Sequence, residues 1–202
     1  MTGDQVNEIE GVFSGTLSYL FNNYDGELEF SKMVADAREK GFTEPDPRDD
    51  LSGMDVARKL VILAREMNLS IGISDVSVES LVPEKLRDIS VDDYLDQLSE
   101  YDEAMNLRLA EARNNNKVLR YIAKLDSSGK ASVKLDAISI DHPFAELKGS
   151  ENVIKYMTDR YSDYPLVHKG PGAGAEVTAA GIFSDLLMVV QHIDRFNPFI
   201  TE

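Results

Sequence analysis

The chain has 202 residues, and its 36 acidic side chains outnumber 21 basic ones to leave a formal charge of −15 at neutral pH. So negative a surface repels phosphate backbones and anionic lipid headgroups, which removes nucleic acid and membrane surfaces from the expected partners. The lack of cysteine excludes disulfide frameworks, thiolate metal sites and a cysteine nucleophile, and it agrees with an expected reducing, cytoplasmic setting.

At roughly 150 residues per domain, this length suits one domain spanning 1–202. The longest apolar runs, 60–64 and 186–190, reach about a quarter of a membrane span, and the first ten residues lack the features of a signal peptide. Residues 6–13 read as a strand, Ser14-Gly15-Thr16 as a glycine turn, and Leu17, Leu20 and Phe21 as a short helix. Ser31 is placed to N-cap a second helix containing Met33, Val34 and Ala37, with Gly41 where a left-handed C-terminal residue belongs. A proline-bearing loop, 42–50, leads into the most hydrophobic helix, 52–67, where Leu60, Leu63, Ala64 and Met67 share a face that Val61 and Ile62 widen. That breadth predicts burial on more than one side.

Val76 and Val78 mark a short strand. Ser90-Val-Asp-Asp93 opens a helical stretch that runs, broken near Tyr101, to Arg113 and stops at Asn114-Asn115-Asn116. Segments 118–125 and 131–140 flank Asp126-Ser-Ser-Gly129 as a hairpin, and 152–158 and 165–168 add two strands. The glycine-rich run 170–181 then opens a last helix over about 175–195. Helices first and antiparallel strands after predict an α+β fold with helices on one face of a sheet.

Charge with chemical potential concentrates in one segment. Glu44, Asp46, Asp49, Asp50 and Asp55 place five carboxylates within twelve residues, on a loop that two prolines stiffen. Fixed anions of this kind suit an ammonium group or a metal, while the plainer reading has Asp49 or Asp50 capping the next helix. Calcium-loop spacing fails, because counting from Asp46 puts Arg48, Leu51 and Ala57 where a ligand, a glycine and a bidentate glutamate belong. Asp55 and Lys59 form an acid-first pair four residues apart, an arrangement commonest as a surface ion pair. On a largely buried helix the same lysine would be desolvated and poised for proton transfer.

Gly170-x-Gly172-x-x-Ala175 fits a loose dinucleotide fingerprint, but no strand ending in an acidic residue follows the helix, so the run reads as backbone open to a flat ligand or as a small-residue packing face. His142, His168 and His192 stand far apart, and no histidine metal site is expected.

Five strings together resemble homoserine dehydrogenase: Gly11-Val-Phe-Ser-Gly-Thr16, the long segment from Gly41 to Lys59, Val118-Leu-Arg-Tyr121, His142-Pro-Phe-Ala145 and the glycine run 170–181. The resemblance spans about residues 6–190 and is strongest to the dehydrogenase half of bifunctional aspartokinase/homoserine dehydrogenases. It implies a mixed, mainly antiparallel sheet like the C-terminal domain of glyceraldehyde-3-phosphate-dehydrogenase-like enzymes, and a homodimer.

By the same resemblance Lys59 is the proton donor and acceptor at the substrate oxygen, and Glu44, Asp55, Asp50, Gly15 and Thr16 bind the substrate. Gly41 and Gly174 lie against NAD or NADP. Phe42 stands where many relatives carry tyrosine. The family's dinucleotide-binding domain, with its glycine fingerprint, second lysine and monovalent-cation loop, is not found among these 202 residues. The isolated chain is therefore expected to be inactive, and its last helix is expected to pack on that domain. The rival expectation is an oligomerisation or scaffold module in which the Asp55 and Lys59 pair is only a surface pair.

Overall fold

The structure, a computed structural model, describes the backbone of residues 3–196 and the side chains of 3–192. The expected final helix therefore has its end, Ile193 included, outside the described side chains.

Strand β1 (Val6–Val12) runs into helix α1 (Gly15–Asn23), whose first turn is capped by Ser14 accepting the Leu17 amide at 3.2 Å. Helices α2 (Phe30–Glu39), α3 (Pro47–Leu51) and α4 (Met54–Glu66) follow, then the short strand β2 (Val76–Val78). Helix α5 (Val91–Gln97) passes through a 3-10 turn at Leu98–Tyr101 into α6 (Asp102–Asn114), which is the break expected near Tyr101. The hairpin β3 (Lys117–Asp126) and β4 (Ala131–Ser139), the pair β5 (Glu151–Thr158) and β6 (Leu166–Pro171), and helix α7 (Ala175–Phe196) complete the chain.

The six strands form one sheet in the order β2-β4-β3-β1-β5-β6. Every neighbouring pair is antiparallel except β2 with β4, which makes the sheet mixed and mainly antiparallel. On one face Ile9, Tyr121, Leu125 and Val133 pack against Leu17 and Leu20 of α1, Leu60 and Ala64 of α4, and Leu109 of α6. The other face carries a smaller cluster of Val12, Ile122, Ile138, Phe144, Leu147 and Val153 beside the buried Glu10. Helices α1 to α6 thus sit on one face of the sheet, as the sequence predicts, while α7 adds no described residue to that core.

Two capping expectations are corrected. Ser31 does not N-cap α2; it lies inside the first turn, and both its amide (2.7 Å) and its hydroxyl (2.6 Å) donate to the buried carboxylate of Asp102 on α6. The acceptor that this helix start needs is supplied from 71 positions away, so no local pattern announces it. Nor do Asp49 and Asp50 cap a helix: Asp46 caps the short α3, accepting the Arg48 amide at 3.0 Å, and α4 starts from Gly53 at φ 73°. Gly41, at φ 74°, takes the left-handed position expected after α2.

The burial expected around α4 is also narrower than predicted. Leu60, Val61 and Ala64 are buried, but Ile62 is 57% exposed. Helix α7 goes further, with Ile182, Phe183, Leu186, Met188 and Val189 all exposed. No helix among the described residues is long and apolar enough to cross a membrane.

Candidate active site

The segment that ends β1 and starts α1 is the hub of the site. Its Phe13 carbonyl accepts a hydrogen bond of 2.9 Å from the Lys59 ammonium, which also pairs with Asp55 at 2.8 Å. Lys59 and Asp55 share a face of α4 because they lie one turn apart. Their side chains are 47% and 54% exposed, so the pair is the half-exposed one that its spacing favours rather than a desolvated lysine on a buried helix, and the ammonium is held by two oxygens.

Three residues further along the hub, the Thr16 hydroxyl stands 2.7 Å from the Phe42 carbonyl and 2.8 Å from Asp50 Oδ1, donating its one proton to either. Asp50 Oδ2 accepts the Glu44 amide at 2.8 Å. Thr16, Asp50 and Glu44 are therefore one hydrogen-bonded unit, and the Phe13–Thr16 turn joins it to the Lys59 and Asp55 pair. Phe42, whose carbonyl meets Thr16, has its ring stacked on Tyr19, centroids 4.0 Å apart. Gly15, between the two halves of the hub, is half-buried.

Lys59 opens onto a cleft of about 490 Å³ whose walls include Phe13, Ile62, Asn152, Lys169 and Gly172. Ile62 is exposed because it faces this cleft rather than the core. The Asn152 carboxamide packs so closely on Gly172 that a Cβ there would stand 1.9 Å from its nitrogen, and its oxygen is buried without a hydrogen-bond partner. An unsatisfied buried acceptor beside a mainly apolar hollow is a natural contact for a polar ligand group.

Gly41 and Gly174 have φ of +74° and +133°, and a Cβ added at either would meet nothing within 4 Å. Such open backbone fits the edge of a flat ring. Gly170 and Gly172 line the Lys59 cleft, and Gly41 and Gly174 are not among its lining residues.

Among the described residues no group of three or more histidines, aspartates and glutamates is arranged to hold a metal ion. His168 lines the cleft, while His142 lies on the opposite side of the sheet with Nε2 3.5 Å from Glu10. Burial pushes the His142 imidazole below its usual range against the attraction of Glu10.

Sequence reasoning misses three participants. The Phe13 carbonyl is a backbone group with no residue signature, and Asn152 is one ordinary strand position. Arg48 is visible only as a cation among carboxylates; it holds Asp46 with a 2.7 Å ion pair and keeps that carboxyl below its usual range. Two of the strings turn out to be joined structurally: Arg120, buried on β3, donates to the carbonyls of Phe144 (3.0 Å) and Ala145 (2.7 Å), tying Val118-Leu-Arg-Tyr121 to His142-Pro-Phe-Ala145. Burial lowers that guanidinium to about 10.

Comparison with known proteins gives the family of the chain. A family model for homoserine dehydrogenase matches residues 1–187. The chain is 52% identical over 194 residues to the chloroplastic bifunctional aspartokinase/homoserine dehydrogenase 1 of Zea mays, covering 95% of this chain and 21% of that protein. It is 46% identical over 199 residues to homoserine dehydrogenase of Saccharomyces cerevisiae, covering 95% and 55%. Among solved structures, a Candida auris protein of unknown function superposes with TM-score 0.89 at 44% identity, covering 94% of this chain and 55% of that one. S. aureus homoserine dehydrogenase gives TM-score 0.72 at 25% identity, covering 92% and 43%. The chain thus spans about a fifth of the plant protein and about half of the yeast one.

Proposed function

The chain belongs to the homoserine dehydrogenase family, and from that premise we propose that it is the catalytic and dimerisation region of an enzyme reducing aspartate semialdehyde to homoserine, on the route to threonine, methionine and isoleucine. The observation that carries the proposal is the Lys59 ammonium, fixed by the Phe13 carbonyl and Asp55 at the mouth of a cleft, one turn of chain from the Thr16, Asp50 and Glu44 unit.

Members of this family use NAD(P), which when bound supplies the hydride. The open backbone at Gly41 and Gly174 would lie against such a cofactor; a nucleotide-binding domain in a longer parent chain would hold the rest and decide between NAD and NADP. Lys59 gives a proton to the aldehyde oxygen as the carbon is reduced, and takes one from the hydroxyl in the reverse direction. Its half-exposed position lets it recover that proton from water. Glu44, Asp50 and Asp55 surround the amino end of the substrate with negative charge, and Gly15 with Thr16 closes the turn beside it. Holding the reactants at contact distance supplies much of such a rate.

On this reading α7, with its exposed apolar side chains, packs on the nucleotide-binding domain, the parent enzyme is a cytoplasmic homodimer, and the isolated chain does not turn over. The half-exposed Asp55 and Lys59 pair is also what a plain scaffold module would carry, and one experiment separates the two. In the full-length parent, Lys59→Ala with an intact circular dichroism spectrum lowers homoserine oxidation by roughly three decades, about 4 kcal/mol of barrier. A loss under about threefold favours the scaffold.

A further inference from the structure

Arg48 touches none of the groups assigned to the reaction, yet its guanidinium is among the most fully engaged side chains near the site. Nε stands 2.9 and 3.1 Å from the two oxygens of Asp46, and Nη2 is 2.7 Å from Asp46 Oδ2. Nη1 donates into a ring of three carbonyls, those of Leu86 (3.1 Å), Arg87 (3.0 Å) and Ile89 (2.7 Å). The guanidinium carbon lies 5.3 Å from the ring centroid of Tyr94, a side chain with no exposed surface. A planar fork with fixed N–H directions can serve a carboxylate on one edge and backbone carbonyls on another at the same time, which an ammonium cannot.

What Arg48 holds is α3. Five residues of helix cannot sustain themselves, so the pose of α3 must come from outside. Arg48 supplies it by gripping Asp46, the cap of α3, and tying both to the turn at 86–89 and the ring on α5. The far end of α3 carries Asp50, which orders Thr16 and the Glu44 amide. The chain of contacts therefore runs from the 86–89 carbonyls through Arg48 and α3 to Asp50, and from there to Thr16 at the start of α1 and to the Glu44 amide in the acidic loop.

We propose that Arg48 is a positioning residue for the amino-acid substrate: it presets the acidic loop so that Asp50 and Glu44 meet the ammonium group without first being ordered. The substrate part of this inference rests on the proposed function; the clamp itself does not.

The test uses Arg48→Lys and Arg48→Ala. In the chain itself, amide hydrogen exchange at Glu44 rises about tenfold or more in both variants while β3 and β4 keep their protection. In the full-length parent, the KM for homoserine rises roughly tenfold in Arg48→Lys, with kcat and the cofactor KM within about threefold of wild type. Added guanidinium ion lowers the raised KM of Arg48→Ala. Unchanged Glu44 exchange in Arg48→Lys, the variant that keeps the charge and the packing volume, overturns the clamp. A homoserine KM that rises no more than the cofactor KM makes Arg48 merely structural and overturns the positioning role. Failure of the wild-type parent to oxidise homoserine is a separate result; it overturns the substrate reading and leaves the exchange data to decide the clamp.

Discussion

The Thr16 hydroxyl and the Asp50 carboxylate, 34 positions apart in the chain, lie 2.8 Å from each other and join the start of α1 to the end of α3. Thr16→Val keeps the shape and removes the proton, leaving Asp50 Oδ1 and the Phe42 carbonyl without their donor. Both acceptors are only partly buried, so water recovers part of the loss. The expected cost is about 1 kcal/mol, or roughly 2–4 °C in Tm for a chain of this size, read by thermal denaturation. In the parent enzyme the same variant raises the homoserine KM by roughly tenfold, because Asp50 is then free to turn away. An unchanged KM with the lowered Tm would confine Thr16 to stability.

Gly53 sits at φ 73° between α3 and α4, and a Cβ built there would lie 2.0 Å from the Tyr121 hydroxyl oxygen, which donates to the Glu79 carbonyl at 2.6 Å. Gly53→Ala therefore meets left-handed strain and a collision with a buried, hydrogen-bonded ring. The two together should cost about 3 kcal/mol, measured as a shift of the urea midpoint at unchanged slope. Because Tyr121 cannot retreat without losing Glu79, α4 moves instead, and turnover of the parent falls with it. A variant as stable as wild type would show that the ring has room which the close approach denies.

On the opposite face of the sheet, Glu10 is 5% exposed, bonded to Lys124 at 2.7 Å and to Lys155, with His142 beyond. Burial pushes the Glu10 carboxyl up, but the two lysines outweigh it and hold it below its usual range. Burial likewise holds His142 low. Both groups bind protons more readily in the unfolded chain, so stability rises with pH wherever the two states differ. The His142 contribution is complete above the ordinary histidine range and is lost as pH falls through its lowered value. The Glu10 contribution is complete above the ordinary glutamate range and is lost as pH falls further. Urea unfolding between about pH 8 and about pH 2 should show this two-stage loss, and Glu10→Gln should flatten its acid limb while lowering stability at neutral pH. An acid limb of the same slope in the variant would remove Glu10 from the account.

Local signals were the legible ones. The strand, glycine turn and helix over β1 and α1, the hairpin around Asp126-Ser-Ser-Gly129 and the break at Tyr101 each follow from residues adjacent in sequence, and each is found. The Asp102 carboxylate under Ser31 and the Arg48 grip on the 86–89 turn are set by tertiary contact, and nothing near Ser31 or Arg48 in the chain specifies them. Lys59 illustrates the intermediate case. The apolar breadth of α4 reads as burial on more than one side, but one edge of that breadth, Ile62, lines a cleft, so the lysine beside it stays wet. Composition cannot separate an apolar side chain that faces a core from one that faces a ligand.

That exposure makes Asp55 the sharpest probe of the site. With both side chains about half exposed, the Asp55 and Lys59 pair is screened by water and contributes about 0.5 kcal/mol or less to folding. Asp55→Asn should accordingly leave Tm within about a degree or two of wild type. If the pair exists for the reaction, the same variant loses more than the fold does: the carboxylate no longer orients Lys59 or faces the substrate ammonium, and kcat/KM for homoserine drops by about two decades, near 3 kcal/mol. The disparity between the two measurements is the diagnostic quantity, since a surface pair moves both by little and a structural pair moves both together. Matched small effects on Tm and on kcat/KM would return Asp55 and Lys59 to the surface of a scaffold.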